Sequence, residues 1–339
     1  MAIRVGINGF GRIGRLVLRA GFDREELEFV AVNDVADAET LAYLLQFDSV
    51  HGLSDFDVEP TDEGFSIDGH DIAVFDKRAP SEIPWRDLGV QMVIEASGRF
   101  TKREEAAAHL AAGASKVVIT APAKDADATF VYGINDDTYD PGRHHVVSTA
   151  SCTTHALAIV TRILHDSFGI DRAFALAVHA YTNSQALLDS PKGKGKLRRA
   201  RAAALNLVPT STGAAKTIDE VVPELKGRLS AMAIRTPNPD GSILDVTALL
   251  DREVDADTVN DAFYDASETE RLQEVLLVSN DPLVSTDIVD VSFTTIVDAE
   301  NTMAMGNMAK VLAWYDNEWG YSVRVVDMAA KMAEIMMGS

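Results

Sequence analysis

One short segment constrains the fold more than any other. An apolar run, Ile3–Ile7, leads directly into Gly9-x-Gly11-x-x-Gly14, and a helix-like stretch, Arg12–Phe22, follows without a gap. Backbone N–H groups at such a helix start can hold a pyrophosphate, and glycines let the phosphates approach the chain closely. The glycines alone are weak evidence, since a tight turn needs them too. Asp34 adds to them: it lies twenty residues beyond Gly14, at the end of the next apolar run, where an acid reads a ribose diol. A carboxylate there repels a 2′-phosphate, so the pattern favours NAD over NADP.

The pattern continues through the first half of the chain. Leu27–Val32, Val90–Ile94, Lys116–Ile119, Thr129–Tyr132 and His145–Ser148 read as buried strands, with a helical stretch at Arg103–Ala112. Near-continuous Val/Ile runs between helices predict a mostly parallel sheet covered on both faces. From Ser151 the character changes. Helices near 153–167, 212–222 and 255–270 separate the strands Ala173–His179, Ala231–Arg235, Ile243–Leu249, Ile288–Ile296 and Val311–Tyr315. That predicts an α+β domain with a largely antiparallel sheet. Tyr321–Met337 is apolar at helical spacing, and Pro191–Lys196 (PKGKGK) is a loop.

Composition narrows the function. With 339 residues, 47% of them hydrophobic, the chain is long enough for two domains with real cores, so wholesale disorder is excluded. A lone cysteine closes no internal disulfide. The formal charge of −21 argues against general nucleic-acid or anionic-membrane binding, which need a basic face. Only eleven residues are Lys. Such an acidic, Lys-poor surface suits high salt, where self-repulsion is screened, and equally an ordinary acidic cytosolic protein. No run approaches the ~20 apolar residues of a membrane span. The chain starts in a strand rather than a signal peptide, so a cytoplasmic protein is expected, and no metal site.

Cys152 stands in Ser151-Cys152-Thr153-Thr154, just before a helical run. A helix N-terminus stabilises a thiolate, although a single buried cysteine is more often filler. His179 ends a strand and offers a base, in competition with seven other histidines. Arg235 and the Ser211-Thr212-Gly213 helix start have equally plain readings, an ion pair and a helix cap.

Together these residues carry a resemblance. The segments GINGFGRIGR (6–15), VNDVADAETLAYLLQFDSVHG (32–52), IEASGRF (94–100), SCTT (151–154), HAYTNSQ (179–185), RRARAAALNLVPTSTGAAK (198–216), LKGRLSAMAIRTP (225–237) and WYDNEWGYS (314–322) span nearly the whole chain in order. The chain resembles the phosphorylating glyceraldehyde-3-phosphate dehydrogenases. The resemblance implies an α/β fold: an N-terminal Rossmann dinucleotide-binding domain over 1–150, completed by a C-terminal helix 318–339, and an α+β catalytic domain over 151–317. It further implies a cytoplasmic homotetramer of glycolysis or gluconeogenesis, with subunits meeting through a loop near 179–205.

By the same resemblance, Cys152 attacks the substrate aldehyde. His179 lowers the thiol's pKa and takes the hydroxyl proton as hydride leaves. Thr182, Arg199 and Arg235 hold the substrate's phosphate. Ser151, Thr153, Thr212 and Gly213 hold the inorganic phosphate that cleaves the thioester to 1,3-bisphosphoglycerate. Gly9, Gly11, Arg12, Ile13, Gly14, Asp34, Arg78, Thr120 and Asn317 are placed on NAD, Asn317 at the nicotinamide carboxamide.

Three features depart from the family pattern. His155 replaces an Asn after Cys-Thr-Thr, and a charged imidazolium there would change the field at Cys152. The KGKGK stretch (192–196) is longer and more basic than usual. Ser190 resembles NADP-tolerant relatives, so some NADP use is expected beside NAD. Two other readings remain: erythrose-4-phosphate dehydrogenase, with water as acyl acceptor, and a non-catalytic NAD-binding regulator.

Overall fold

The computed structural model describes residues 2–338 and divides into two compact units. One runs to Tyr132, takes in Asp136–Ala150 and includes the segment from Ser322 onward; the other holds Gly133–Asn135 and Ser151–Tyr321.

The first unit is built on a nine-stranded sheet. Its spatial order is Ala128–Thr129, Val146–Ser148, Lys116–Ile119, Met92–Glu95, Ile3–Asn8, Leu27–Asn33, His70–Phe75, Gly64–Ile67 and Val58–Pro60. Every pairing is parallel as far as His70–Phe75; the last two are antiparallel. Val5, Ile7, Val93, Ile94, Val117 and Val118 are fully buried, which is what a sheet covered on both faces requires. The helix Arg12–Gly21 follows the first strand, and the C-terminal helix Trp319–Gly338 is tied to this unit by an Arg24–Asp327 ion pair at 2.9 Å.

The second unit carries an eight-stranded sheet in the order Val208–Ser211, Leu229–Thr236, Ile170–Ala180, Ser242–Leu250, Met308–Tyr315, Thr295–Asp298 and Leu276–Ser279, with Met303–Met305 beside Met308–Tyr315. Most pairings are antiparallel. Two are parallel: Ile170–Ala180 with Leu229–Thr236, and Leu276–Ser279 with Thr295–Asp298. The helix Cys152–Phe168 packs on one face. Ala173, Ala175, Ala177 and His179 are buried at alternate positions of one strand, while Phe174 between them is 72% exposed.

Three expected elements differ. The strand expected at Thr129–Tyr132 is only the two-residue Ala128–Thr129, and the chain turns from Tyr132 onward. Arg103–Ala112 breaks at Ala107 into two short helices, Arg103–Ala106 and Ala108–Ala111. Ile288–Ile296 is not one strand: a 3-10 turn covers Ser285–Ile288 and the strand begins only at Thr295. Turn chemistry wins there. Asp287 accepts the Val284 N–H at 2.8 Å, and Asp290 sits at φ +66°, outside any strand conformation.

Candidate functional site

In the first unit the glycine loop lines a cleft of about 240 Å³ together with Asn8, Asn33, Asp34, Arg78, Ser97 and Arg99. The three glycines serve different purposes. Gly9 has φ +91°, and a Cβ there would lie 2.3 Å from the Ser97 Cα. At Gly14 a Cβ would meet the Gly9 carbonyl oxygen at 2.2 Å. Neither reason applies to Gly11, whose Cβ would meet nothing within 4 Å and whose φ of −74° suits any residue. Close approach of a ligand is what the missing side chain allows, so the loop fits a dinucleotide pyrophosphate.

Asp34 accepts the Phe10 N–H at 2.7 Å on one oxygen and the Val35 and Ala36 N–H groups at 2.7 and 3.3 Å on the other. It therefore fixes the loop as well as facing the cleft. The Arg12 side chain pairs with Asp48, which is held down to about 2: burial works against this, but the His51 and Val50 N–H groups and the Arg12 guanidinium prevail. The Arg12 guanidinium is thus engaged by Asp48, and Arg12 and Ile13 set the first backbone positions of the helix that follows the glycine loop. Thr120 donates to the Glu95 carbonyl at 3.3 Å.

In the second unit Cys152 opens its helix, with Ser151 as N-cap accepting the Thr154 N–H at 3.2 Å. The sulfur lies 3.5 Å from His179 Nε2. Burial pushes the thiol up to about 11, opposed by Arg235 and by hydrogen bonding to Thr153. Even at a partly buried site a helix terminus contributes only up to about 2 kcal/mol, about 1.5 pKa units, so it cannot by itself undo the rise to about 11. Burial, and next the Arg235 guanidinium, push His179 down to about 3.

Parallel register sets this arrangement, because His179 stands directly opposite Arg235. Arg235 Nη1 lies 2.7 Å from His179 Nδ1 and 2.9 Å from the Ala180 carbonyl oxygen, itself 2.8 Å from Nδ1. A guanidinium only donates, so the first contact is a hydrogen bond when the ring proton sits on Nε2, facing the sulfur. The buried Arg235 Nε has no partner among the described residues, a poor arrangement unless an anion completes it.

The other predicted residues make mostly local contacts, and only some of them are tied directly to this pair. Thr182 Oγ1 contacts Ser184 Oγ at 2.8 Å, and Arg199 donates to Thr210 at 3.0 Å. Thr153 is buried, with its hydroxyl 3.1 Å from Tyr315. Thr212 accepts the Ala214 N–H at 3.2 Å, and Gly213 starts the helix Ala214–Val221 without a side-chain cap. His155 is buried, its Nδ1 3.1 Å from the Ser151 carbonyl oxygen and its ring edge-on to Tyr321.

Asn317 accepts a hydrogen bond from Ser242, whose hydroxyl also takes the Ala180 N–H at 3.1 Å. Ser242 thus joins Asn317 to the strand end that carries His179. Sequence reasoning missed it, along with Tyr315 and the buried Asp240. Burial and the nearby Asp316 carboxylate push Asp240 up to about 8. No local motif marks these three; only sheet pairing brings them near the thiol.

A parallel sheet with a glycine loop, accompanied by a cysteine–histidine pair, is the equipment of an NAD-dependent oxidoreductase. The profile of the glyceraldehyde 3-phosphate dehydrogenase NAD binding domain matches residues 3–103, and that of the C-terminal domain matches 151–317. Glyceraldehyde-3-phosphate dehydrogenase of Geobacillus stearothermophilus is 52% identical over 98% of this chain and 99% of its own. A Bacillus subtilis relative of that name is 50% identical over 98% and 99%, and the Mycobacterium leprae one 48% over 97% and 98%. The chain belongs to the glyceraldehyde-3-phosphate dehydrogenase family.

Proposed function

We propose that the chain oxidises glyceraldehyde 3-phosphate to 1,3-bisphosphoglycerate with NAD and inorganic phosphate. The observation that carries this reading is Cys152 Sγ at 3.5 Å from His179 Nε2, in a chain so similar to relatives of that name. The Cys152 sulfur adds to the aldehyde carbon, and the former carbonyl oxygen becomes the hydroxyl of a thiohemiacetal. His179 Nε2 takes that hydroxyl proton as the carbon is oxidised, leaving a thioester on Cys152. Bound NAD supplies the hydride acceptor. A phosphate oxygen then attacks the thioester and releases the sulfur.

Arg235, with its unpartnered Nε, receives the substrate's phosphate together with Thr182 and Arg199. The attacking phosphate takes Ser151, Thr153, Thr212 and Gly213. Holding an anion draws Arg235 away from Nδ1, which can then keep its proton on the Ala180 carbonyl and leave Nε2 bare as the base. On the cofactor, Gly9, Gly11, Gly14 and the backbone of Arg12 and Ile13 take the pyrophosphate. Asp34 takes the adenosine ribose, Arg78 and Thr120 line the cleft, and the Asn317 amide donates to the carboxamide. NADP is a weaker alternative substrate.

The protein works as a cytoplasmic homotetramer. Leu187, Leu188, Leu197, Leu205 and Leu207, all more than two-thirds exposed on one copy, are the surface that subunit contact covers. Among the described residues no helix is long and apolar enough to cross a membrane.

The test is the initial rate of NADH formation from glyceraldehyde 3-phosphate with and without inorganic phosphate. A strict phosphate requirement is expected. A rate indifferent to phosphate makes water the acceptor and removes the role given to Thr212 and Gly213. Light scattering at assay concentration checks the tetramer.

A further inference from the structure

Beside the glycine loop, the first unit holds a polar chain that ends on one carboxylate. The Trp85 indole N–H donates to His109 Nδ1 at 3.0 Å. Indole only donates, so Nδ1 is the acceptor and the ring proton sits on Nε2, 3.0 Å from Glu95 Oε2. Asn8 Nδ2 donates to the same oxygen at 2.5 Å, while Asn8 Oδ1 accepts from Asn33 at 2.8 Å. Glu95 Oε1 accepts the Ser97 N–H at 2.9 Å and the Ser97 hydroxyl. Four donors converge on Glu95, and no Lys or Arg of the described residues pairs with it. Glu95 is 2% exposed and His109 is fully buried.

The donors explain the placement. Asn8 ends the strand that runs into Gly9, and Ser97 is the residue whose backbone Gly9 crosses at a distance no side chain would survive. Both line the cleft. We propose that Glu95 is a positioning residue for the dinucleotide: by gripping Asn8 and Ser97 at once it sets the height of the glycine loop over the cleft, and Trp85 and His109 hold Glu95 in place. This rests on reading the cleft as the NAD site. Nothing in the Cys152 chemistry uses Glu95, so its loss acts on NAD affinity first.

Three variants test this. His109→Leu removes one donor to Glu95 and leaves the Trp85 N–H without an acceptor. His109→Gln keeps both, since an amide oxygen accepts from Trp85 while its N–H group reaches Glu95. Glu95→Gln places an amide N–H group against a donor. An unsatisfied buried group of this kind corresponds to about a five- to hundredfold effect.

We expect His109→Leu and Glu95→Gln to raise the KM for NAD in that range while kcat falls less than about threefold. The rate of Cys152 alkylation by iodoacetamide should not change. His109→Gln should return most of the lost affinity. The inference is overturned if folded His109→Leu keeps the parental KM, if kcat falls as much as affinity, or if His109→Gln is no better than His109→Leu. Should Glu95→Gln not fold, the His109 pair decides alone. Asp34→Ala, assayed alongside, separates the two claims. If it leaves NAD affinity intact, the cleft reading itself fails. If it weakens NAD while His109→Leu does not, only the role of Glu95 fails.

Discussion

The dinucleotide cleft and the thiol site solve opposite problems. The cleft presents the backbone of a glycine loop, braced by carboxylates that only accept: Asp34 from three N–H groups and Glu95 from four donors. It is finished before any ligand arrives. The thiol site is left unfinished. Cys152 and His179 are each pushed toward neutrality by burial, and Arg235 crowds the imidazole while its own Nε lacks a partner. Recognition here is built from satisfied groups and reactivity from unsatisfied ones, so substitutions in the two units should fail in different ways.

The largest expected effect is at the nucleophile. Cys152→Ser should cut turnover by at least about 10⁴-fold. Its NAD affinity, measured by titration, should stay within a factor of two or so of the parent. A parallel loss of both would erase the distinction drawn above. His179→Asn comes next, with kcat reduced about 10²–10⁴-fold and slower alkylation of Cys152 near neutral pH. Alkylation as fast as in the parent would mean that the imidazole does not activate the sulfur.

Asp34→Ala probes the cleft. Removing a like charge from the ribose site should raise the NADP/NAD ratio of kcat/KM about tenfold or more. An unchanged ratio would show that Asp34 serves the loop alone.

The smallest effect belongs to Asp240. Its carboxyl is raised from about 4 in an unfolded chain to about 8 here, by burial first and Asp316 second. The protonated form is the one the fold prefers, so the stability this group supports is present at acid pH and is lost as pH rises toward 8. Asp240→Asn keeps a neutral side chain throughout. Its Tm advantage should be near zero at pH 4 and reach roughly 2 °C or more at pH 8–9, by calorimetry. An advantage that does not change with pH would remove titration from the explanation.

Where chemistry is local, the sequence is transparent. The glycine loop, Asp34 and the Ser151–Cys152 helix start are contiguous patterns whose physics acts within one turn or one strand. The edge hairpin at Asp68-Gly69 is equally local: both residues have positive φ, +48° and +81°, as a two-residue turn demands. The pairing of His179 with Arg235, 56 residues apart, is another matter. Parallel register creates it, and no spacing in the chain announces a register. The same holds for Ser242 between Ala180 and Asn317, and for Glu95 beside Gly9. The expected strand Ile288–Ile296 failed for the converse reason, since aspartates with local turn preferences outweighed an apolar run.

The parallel pairing of Ile170–Ala180 with Leu229–Thr236 carries an obligation of its own. Parallel neighbours cannot be joined by a tight turn, so the chain between them must travel out and return. Thr182, Arg199, Thr212 and Gly213 all ride on that excursion, which leaves the sheet after Ala180 and re-enters it at Leu229, and the register of the two strands sets His179 opposite Arg235. The entropy of closing such a connection grows only logarithmically, about 0.6 kcal/mol for each doubling of length. The Lys192–Lys196 stretch is spare cable in this span. Within a single copy, length can be added or trimmed there at little entropic penalty while the histidine and the arginine still face each other, so the cost of such a change falls on subunit contact.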